Sequence, residues 1–214
     1  MKTQINNELL NEAKNLFVGA KGCHDWDHTE RVLSLCLHIG KKENANLRIL
    51  FAAAVLHDIG REEELASDHK IDHAAYGADL SKTILKKYQY LTDEIEEISD
   101  CIRTHRYRGN NAPVSLEAKI LYDSDKLDAI GAIGIGRAFH FASEIGARVH
   151  GNDITLENST VFSRDDTAHR HYLDKLCKIN DKLFTAEGKR IAEGRQKFMK
   201  EFFDRLNKEV IGEL

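Results

Sequence analysis

Residues 47–60 read LRILFAAAVLHDIG, a run of apolar side chains that ends in a histidine, an aspartate and a glycine. A run this apolar, preceded by Asn46 as an N-cap, predicts a helix buried in the core. The pair His57-Asp58 closes that helix and must find partners, because an unsatisfied buried charge costs several kcal/mol. A bound cation would satisfy both side chains. An arginine beside Asp58 and a capping role for His57 would also satisfy them.

The rest of the chain has a helical composition. It contains 214 residues with a single proline and has few alternating runs of Val, Ile and Thr, so we expect an all-α protein. Thr92 or Asp93 is placed to begin the helix over EIEEI, with Asp93 and Glu96 spaced as a capping box, and Ser115 is placed to begin a later helix. Helices are expected near residues 4–18, 25–41, 47–59, 71–88, 93–107, 115–129, 131–147, 164–184 and 187–209, with loops at 60–70, 108–114 and 149–162.

The sequence shows no internal domain boundary. No repeat, low-complexity tract or Gly/Ser/Pro linker divides it, so we expect a single domain over residues 1–214. The helices from about residue 164 to 210 are expected to pack on a core near residues 22–130. A chain of this length can bury a core without disulfides or a structural metal, so any metal site is expected to be functional.

Composition also excludes several classes of partner. The formal net charge is −4, and no basic segment forms the footprint of a protein that binds long nucleic acid. No segment approaches the roughly 18 apolar residues of a membrane span, and the N-terminal sequence lacks the apolar core of a signal peptide. The cysteines are scattered, which suits a reducing cytoplasm; they are Cys23, Cys36, Cys101 and Cys177. The oligomeric state is left open.

Histidine carries the functional signal. The chain has 11 histidines, several beside aspartate. His28 in WDHTERV, His57-Asp58 in AAVLHDIG and Asp125 in LYDSDKLDAIGAIG occur in the order H…HD…D. That order resembles the HD superfamily of metal-dependent phosphohydrolases. The segments HDWDHTERV, LEAKILYDSDKLDAIGAIGIGRAF and HYLDKLCKI are similar to the small stand-alone bacterial members of the YedJ and YpgQ type, so the resemblance covers nearly the whole chain.

The resemblance implies a helical fold in which His28, His57, Asp58 and Asp125 bind a divalent cation. Imidazole and carboxylate ligands suit Mn, Fe, Co, Ni, Zn or Mg in an open site. Adjacent residues diverge by about 100° on an ideal helix, so His57 and Asp58 can share an ion only where the helix ends, at Gly60. Two carboxylates compete for the last ligand position, and similarity through Ser-Asp-Lys-Leu favours Asp125 over Asp123.

Two further histidines raise the question of a second ion. His73 in IDHAAYG and His105 in IRTHRYRG fall between the HD pair and Asp125, where binuclear HD enzymes have additional ligands. On that resemblance Asp58 would bridge two ions and hold a metal-bound water for attack on phosphorus. Alternatively, His73 and His105 contact substrate phosphate or only pack. The likeness to HD-GYP phosphodiesterases stops at Arg106, where those proteins have a second histidine.

Substrate phosphate needs cationic side chains near the metal. Arg61 offers a bidentate guanidinium and is the first candidate, followed by Lys70. Weaker candidates are Arg103, Arg106 and Arg108. The run Glu62 to Glu64 is interpreted as a solvated turn without a catalytic role. His24 shares a helix face with His28, so it either supports the ligands or is merely exposed.

The expected function is hydrolysis of a phosphoester or phosphoanhydride in a small phosphorylated substrate, with metal-activated water. By resemblance alone the substrate is a nucleotide, and nucleoside triphosphate pyrophosphohydrolysis is one form of this reaction. Two alternatives belong to other classes. Some HD proteins use the same ligands as diiron oxygenases, and an HD module can bind a nucleotide without catalysis.

Overall fold

The computed structural model describes residues 6–17, 22–108 and 110–214. Within those ranges every regular element is a helix, which confirms the all-α prediction. None of these helices is long and apolar enough to cross a membrane. The α-helices are α1 (Asn7–Asn15), α2 (Trp26–Glu43), α3 (Leu47–Leu56), α4 (Arg61–Ala66), α5 (His73–Leu85), α6 (Thr92–Thr104), α7 (Leu116–Leu127), α8 (Gly131–Glu144), α9 (Ala168–Asp174) and α10 (Ala186–Val210).

The chain divides into two compact units, Met1–Asp125 and Lys126–Leu214. In the first unit, α3 is the core helix, and every residue from Ile49 to Leu56 is buried. It packs against α1, α2 and α6, while α5 packs against α4 and α6. Burial of each large side chain in such a helix contributes about 2 kcal/mol, so α3 anchors the unit. The expectation of a single domain over the whole chain stays a prediction.

Side-chain caps fix where the important helices begin. The Asn46 carboxamide accepts hydrogen bonds from the backbone of Arg48 and Ile49, as the sequence predicts. Asp25 caps α2 and Asp72 caps α5 in the same way. These two helices carry His28 and His73 in their first turn. The caps therefore place two histidines at helix starts, where their side chains can turn toward a common centre.

Two local predictions in this unit are wrong. Helix α6 begins at Thr92, so the residue that reaches back to the helix start is Glu94, whose carboxylate accepts from the Leu91 N–H at 2.9 Å. Glu96 binds Lys82 instead. The segment 60–70 is not only a loop, because its Glu-rich sequence has good helix propensity and forms α4.

Gly60 is needed for close packing. A Cβ atom at this position would lie 2.3 Å from the carbonyl oxygen of His73 and 2.9 Å from the backbone nitrogen of Gly77. Any side chain here would push α5 away. Helix α3 ends at Leu56, three residues earlier than expected, and His57 and Asp58 lie in the turn that leads to Gly60. The glycine thus brings the turn against the start of α5.

In the second unit, the helix expected over 164–184 is much shorter. Helix α9 ends at Asp174, and Lys175 leaves the helical region with φ −127°. Two 3₁₀ turns follow, at Leu176–Lys178 and Asn180–Lys182. They bury Leu176, Ile179 and Leu183. The spacing of these side chains, three and four residues, also matches a continuous α-helix, which explains the wrong prediction.

Candidate metal centre

Two histidines at helix ends have the same local geometry. His57 follows α3 and His105 follows α6, and each ring places Nδ1 near a carbonyl oxygen three residues earlier. The distances are 2.7 Å from His57 to Ala54 and 2.6 Å from His105 to Ile102. Because a carbonyl oxygen only accepts hydrogen bonds, Nδ1 carries the hydrogen in both rings. In the neutral form of each ring, Nε2 therefore carries a lone pair.

The first ligand group combines His28, His57 and Asp125. His28 Nε2 lies 3.3 Å from His57 Nε2 and 3.3 Å from Asp125 Oδ1. Both histidine side chains are fully buried, while the Asp125 side chain is 12% exposed. Asp123 lies two residues earlier and about 200° away round the helix. The fold thus brings together the carboxylate that the sequence comparison favoured with two histidines from distant helices.

The second ligand group combines Asp58, His73 and His105. Asp58 Oδ1 lies 3.2 Å from His73 Nε2 and 3.4 Å from His105 Nε2, and the two nitrogens are 3.4 Å apart. His73 is the first residue of α5, and its Nδ1 lies 2.7 Å from Glu64 Oε2. All three ligand side chains are buried.

Asp58 faces both groups. Its other oxygen, Oδ2, lies 3.7 Å from His28 Nε2 and 3.6 Å from His57 Nε2. Arg61 Nε also contacts Oδ2, at 2.5 Å. Burial alone would raise the pKa of Asp58, but Arg61 and His57 lower this pKa well below its usual range. Asp58 therefore stays ionised between the two groups.

The donor set fits a metal ion. Burial lowers the pKa of His57 to about 3 and also lowers the pKa of His73, so both rings are neutral near pH 7. Asp58 Oδ1 is buried and accepts no hydrogen bond from the described residues. The Nε2 lone pairs of the neutral His57 and His73 rings thus face the Asp58 carboxylate without a hydrogen between them, an arrangement that is repulsive on its own. This His/Asp cluster could hold a metal ion, which would make the contacts attractive.

The structure adds His24 to the cluster. Its Nδ1 lies 3.5 Å from Asp58 Oδ2, and this buried atom has no hydrogen-bond partner among the described residues. The side chain as a whole is 38% exposed, so the ring lies at the edge of the site. Burial lowers the pKa of His24 to about 4. The sequence left His24 undecided because its position depends on a 3₁₀ turn, Gly22–His24, before α2.

The run of three glutamates is only partly a solvated turn. Glu62 is exposed, but Glu64 is buried, so that interpretation is wrong for Glu64. Its carboxylate contacts His73 and Arg106 Nη1, the latter at 2.6 Å. Residues two apart on a helix point about 200° apart, which separates Glu64 from Glu62. Predicting a helix over residues 61–66 would have placed Glu64 on the opposite face from Glu62 and indicated that Glu64 is buried.

The candidate phosphate ligands differ in position. Arg61 contacts the cluster directly, whereas Lys70 is exposed in the loop after α4. Arg106 binds Glu64 and Asp72, and Arg103 Nη2 lies 2.6 Å from the exposed Asp79 carboxylate. An open cavity of about 330 Å³ lies beside these arginines. Its lining residues are Asp72, Ala75, Arg103, Arg106, Arg108 and Asn111.

Comparison with known proteins identifies the class of protein. The sequence model of the HD domain matches residues 25–130, a range that includes every residue of the two ligand groups. The chain belongs to the HD-domain family and has the helical fold of HD-superfamily hydrolases.

The relatives agree with that assignment. YpgQ of Bacillus subtilis is 33% identical over 203 residues, which cover 88% of this chain and 85% of YpgQ. The crystal structure of B. subtilis YpgQ in complex with ADP is similar with a TM-score of 0.76 and 29% identity, covering 96% of this chain and 95% of that one. An HD-superfamily hydrolase from Bacillus thuringiensis gives a TM-score of 0.75 at 25% identity, covering 96% of both chains. The resemblance to the YpgQ type is confirmed.

Proposed function

We propose that this protein is a divalent-metal-dependent phosphohydrolase acting on a small nucleotide. The observation that carries the proposal is the position of Asp58, whose carboxylate oxygens face two separate groups of histidines. His28, His57 and Asp125 would hold one ion, and His73 and His105 would hold a second, with Asp58 shared. Mn, Fe, Co, Ni, Zn and Mg all suit these ligands. When bound, divalent cations would lower the pKa of a water molecule and neutralise phosphoryl oxygens.

The exposed side of the cluster supports an approach path for substrate. Most of the ligand side chains are buried, but His24, Arg61 and Asp125 are 38%, 24% and 12% exposed. These three residues are the exposed members of the cluster, so we expect a phosphate group to approach from their side. Water is excluded elsewhere by α3 and its neighbours, which strengthens electrostatic interactions inside the site.

Arg61 has the chemistry to bind that phosphate. A guanidinium has five N–H donors, and the Nε–H of Arg61 is used on Asp58. Nη1 lies 3.9 Å from Glu64 Oε2, and the terminal N–H groups can turn to phosphate oxygens in a bidentate arrangement when substrate binds. Arg61 thereby ties the substrate to the carboxylate that both ligand groups share. Lys70 and the arginines of the neighbouring cavity are further candidates for more distant phosphates.

The choice of a nucleotide rests on the relatives. B. subtilis YpgQ was crystallised with ADP, and its fold covers nearly all of this chain. A nucleoside triphosphate, cleaved to monophosphate and pyrophosphate, is one substrate of this class. Cleavage of a phosphomonoester or of a cyclic nucleotide would use the same ligands.

The test is a screen of nucleoside mono-, di- and triphosphates and cyclic nucleotides with each divalent metal, with products separated by chromatography. We expect metal-dependent hydrolysis that Asp58→Asn abolishes and that Asp68→Asn leaves unchanged, since Asp68 is an exposed aspartate in a nearby loop. Turnover that needs iron and oxygen would contradict the proposal in favour of an oxygenase. A nucleotide that binds tightly without being consumed would contradict it in favour of a binding module.

A further inference from the structure

We propose that Glu64 and Arg106 set the tautomer of His73 and thereby complete the second ligand group. Glu64 and Arg106 do not face the cluster; they act through His73 as positioning residues. The inference rests on the proposed function because it concerns a ligand of the proposed second ion. The contacts that carry it form a chain from Asp72 through Arg106 and Glu64 to His73.

Counting hydrogens assigns the tautomer. Arg106 Nη1 lies 2.6 Å from Glu64 Oε1, 3.0 Å from Asp72 Oδ2 and 3.2 Å from His73 Nδ1. This nitrogen has only two hydrogens, and the two carboxylates are shorter and charged partners for them. No hydrogen remains for His73, so its Nδ1 must itself be the donor, to Glu64 Oε2 at 2.7 Å.

This tautomer decides what His73 presents to the cluster. With the hydrogen on Nδ1, Nε2 directs a lone pair toward Asp58 Oδ1 and His105 Nε2. With the hydrogen on Nε2, the ring would donate to Asp58 Oδ1 across 3.2 Å. That hydrogen bond would satisfy the buried carboxylate without any cation. Glu64 therefore favours the His73 tautomer whose Nε2 can bind a metal ion. It disfavours the tautomer whose Nε2–H would bind Asp58 in place of the metal.

The surrounding elements hold Glu64 in place. The residue is 7% exposed, and burial would raise its pKa, but hydrogen bonds from His73 and Arg106 outweigh burial and lower this pKa to about 2. Asp72 uses Oδ1 to cap α5 and Oδ2 to bind Arg106. The same aspartate thus fixes the helix on which His73 lies and the arginine that orients Glu64.

Glu64→Gln is the sharpest test because it keeps the shape of the side chain. The two oxygens of Glu64 serve two different donors, and glutamine has only one oxygen. An NH₂ group cannot face the Arg106 guanidinium, so the amide oxygen should remain on Arg106 and the NH₂ should face His73. His73 Nδ1 must then accept a hydrogen bond, and its hydrogen moves to Nε2.

The experiment measures two properties of the full chain. Nitrogen-15 NMR of the histidine rings in metal-free protein at neutral pH reports the tautomer of His73, and calorimetry reports Mn²⁺ binding. In the native protein we expect the hydrogen on Nδ1 and two Mn²⁺ per chain. In Glu64→Gln we expect the Nε2–H tautomer, with the second ion bound about tenfold more weakly or worse. Glu62→Gln, which makes the same change on the exposed side of α4, should match the native protein.

A native-like tautomer and native-like Mn²⁺ affinity in Glu64→Gln would overturn the inference. If Glu64→Gln does not fold, Glu64→Ala replaces it, because it removes the carboxylate that accepts from His73 Nδ1 and leaves an Arg106 hydrogen free to donate to that nitrogen. This variant should also favour the Nε2–H tautomer, and no shift would overturn the inference. If the native protein binds no divalent cation, the proposed function fails, while the tautomer measurement still tests the role of Glu64.

Discussion

Two groups of histidines in this protein arrange their rings in opposite ways. In the unit Met1–Asp125 the rings meet edge to face or tilted, with interplanar angles of 64° between His28 and His57, 87° between His57 and His105, and 39° between His73 and His105. Their Nε2 atoms converge, and the carboxylate of Asp58 lies against them. This geometry exposes lone pairs to a shared centre.

In the unit Lys126–Leu214 the rings stack. His150 and His169 lie 5.8 Å apart with an interplanar angle of 13°, and the stack continues through Tyr172 to Phe203, at 17° and 25°. The ring nitrogens bind an amide: His150 Nε2 lies 2.7 Å from Asn207 Oδ1, and Asn207 Nδ2 lies 3.4 Å from His169 Nε2. We call these five residues the stacked group.

The difference shows which features separate a candidate metal centre from an aromatic stack. Burial lowers the pKa of both His57 and His169, so neutral rings are common to the two groups. In the group around Asp58, the ring Nε2 atoms converge and a carboxylate lies beside them. Stacked rings point their nitrogens sideways, where the Asn207 amide satisfies one nitrogen of each ring. The stacked group therefore stabilises packing, as aromatic pairs do.

The largest expected effect comes from removing one ring from each group. His57→Ala should weaken Mn²⁺ binding by at least about 100-fold. Loss of a residue that only hydrogen-bonds to a metal ligand costs about 10- to 100-fold in affinity, and loss of the ligand itself should cost more. His169→Ala should lower stability by about 1–2 kcal/mol through lost stacking and burial, with Mn²⁺ affinity within about twofold of native. Calorimetric titration and urea unfolding measure the two effects. Equal Mn²⁺ affinities in the two variants would remove the distinction between the groups.

A smaller effect concerns pH. Burial lowers the pKa of His57 from 6.5 to about 3 in the folded chain. Between these two pH values the unfolded chain binds a proton at His57 that the folded chain does not. The free energy of unfolding is therefore not reduced by His57 above pH 6.5, and it decreases as the pH falls from 6.5 toward 3. The slope for one such histidine is at most about 1.4 kcal/mol per pH unit.

Urea unfolding of the metal-free protein across this pH window measures the slope, and His57→Asn should flatten it. Saturating Mn²⁺ should steepen the pH dependence in the native protein and in His169→Ala, because a protonated imidazole cannot ligate a metal. A slope unchanged by His57→Asn would show that His57 is not held neutral in the folded chain.

The smallest effect is expected from Asn207→Asp, which gives the stacked group a carboxylate. The rings remain parallel, so their lone pairs still do not converge, and the number of Mn²⁺ bound per chain should not change. Loss of the bond from Asn207 Nδ2 to His169 should cost about 1 kcal/mol of stability. An additional bound Mn²⁺ would show that a carboxylate suffices and that ring geometry matters less than the comparison implies.

Local features of this protein could be predicted from the sequence. The buried helix α3 and its Asn46 cap follow from residues within one or two turns of each other, and the capping bonds have the expected partners. The class of protein also followed from short motifs around His28, His57-Asp58 and Asp125. The capping box of α6 and the length of α9 were missed because neighbouring residues offered equally good caps or periodicity.

The sequence by itself determined the helical class, the core helix and the family, since propensity, capping and motif order are local or ordered along the chain. Only the tertiary structure decided how the histidines divide between a candidate metal centre and an aromatic stack. It also buried Glu64 and fixed the tautomer of His73. Those outcomes depend on contacts between residues nine or more positions apart, such as Glu64 with His73 and His28 with Asp125. Such contacts are set by how helices pack, and packing is a property of the whole fold rather than of any segment.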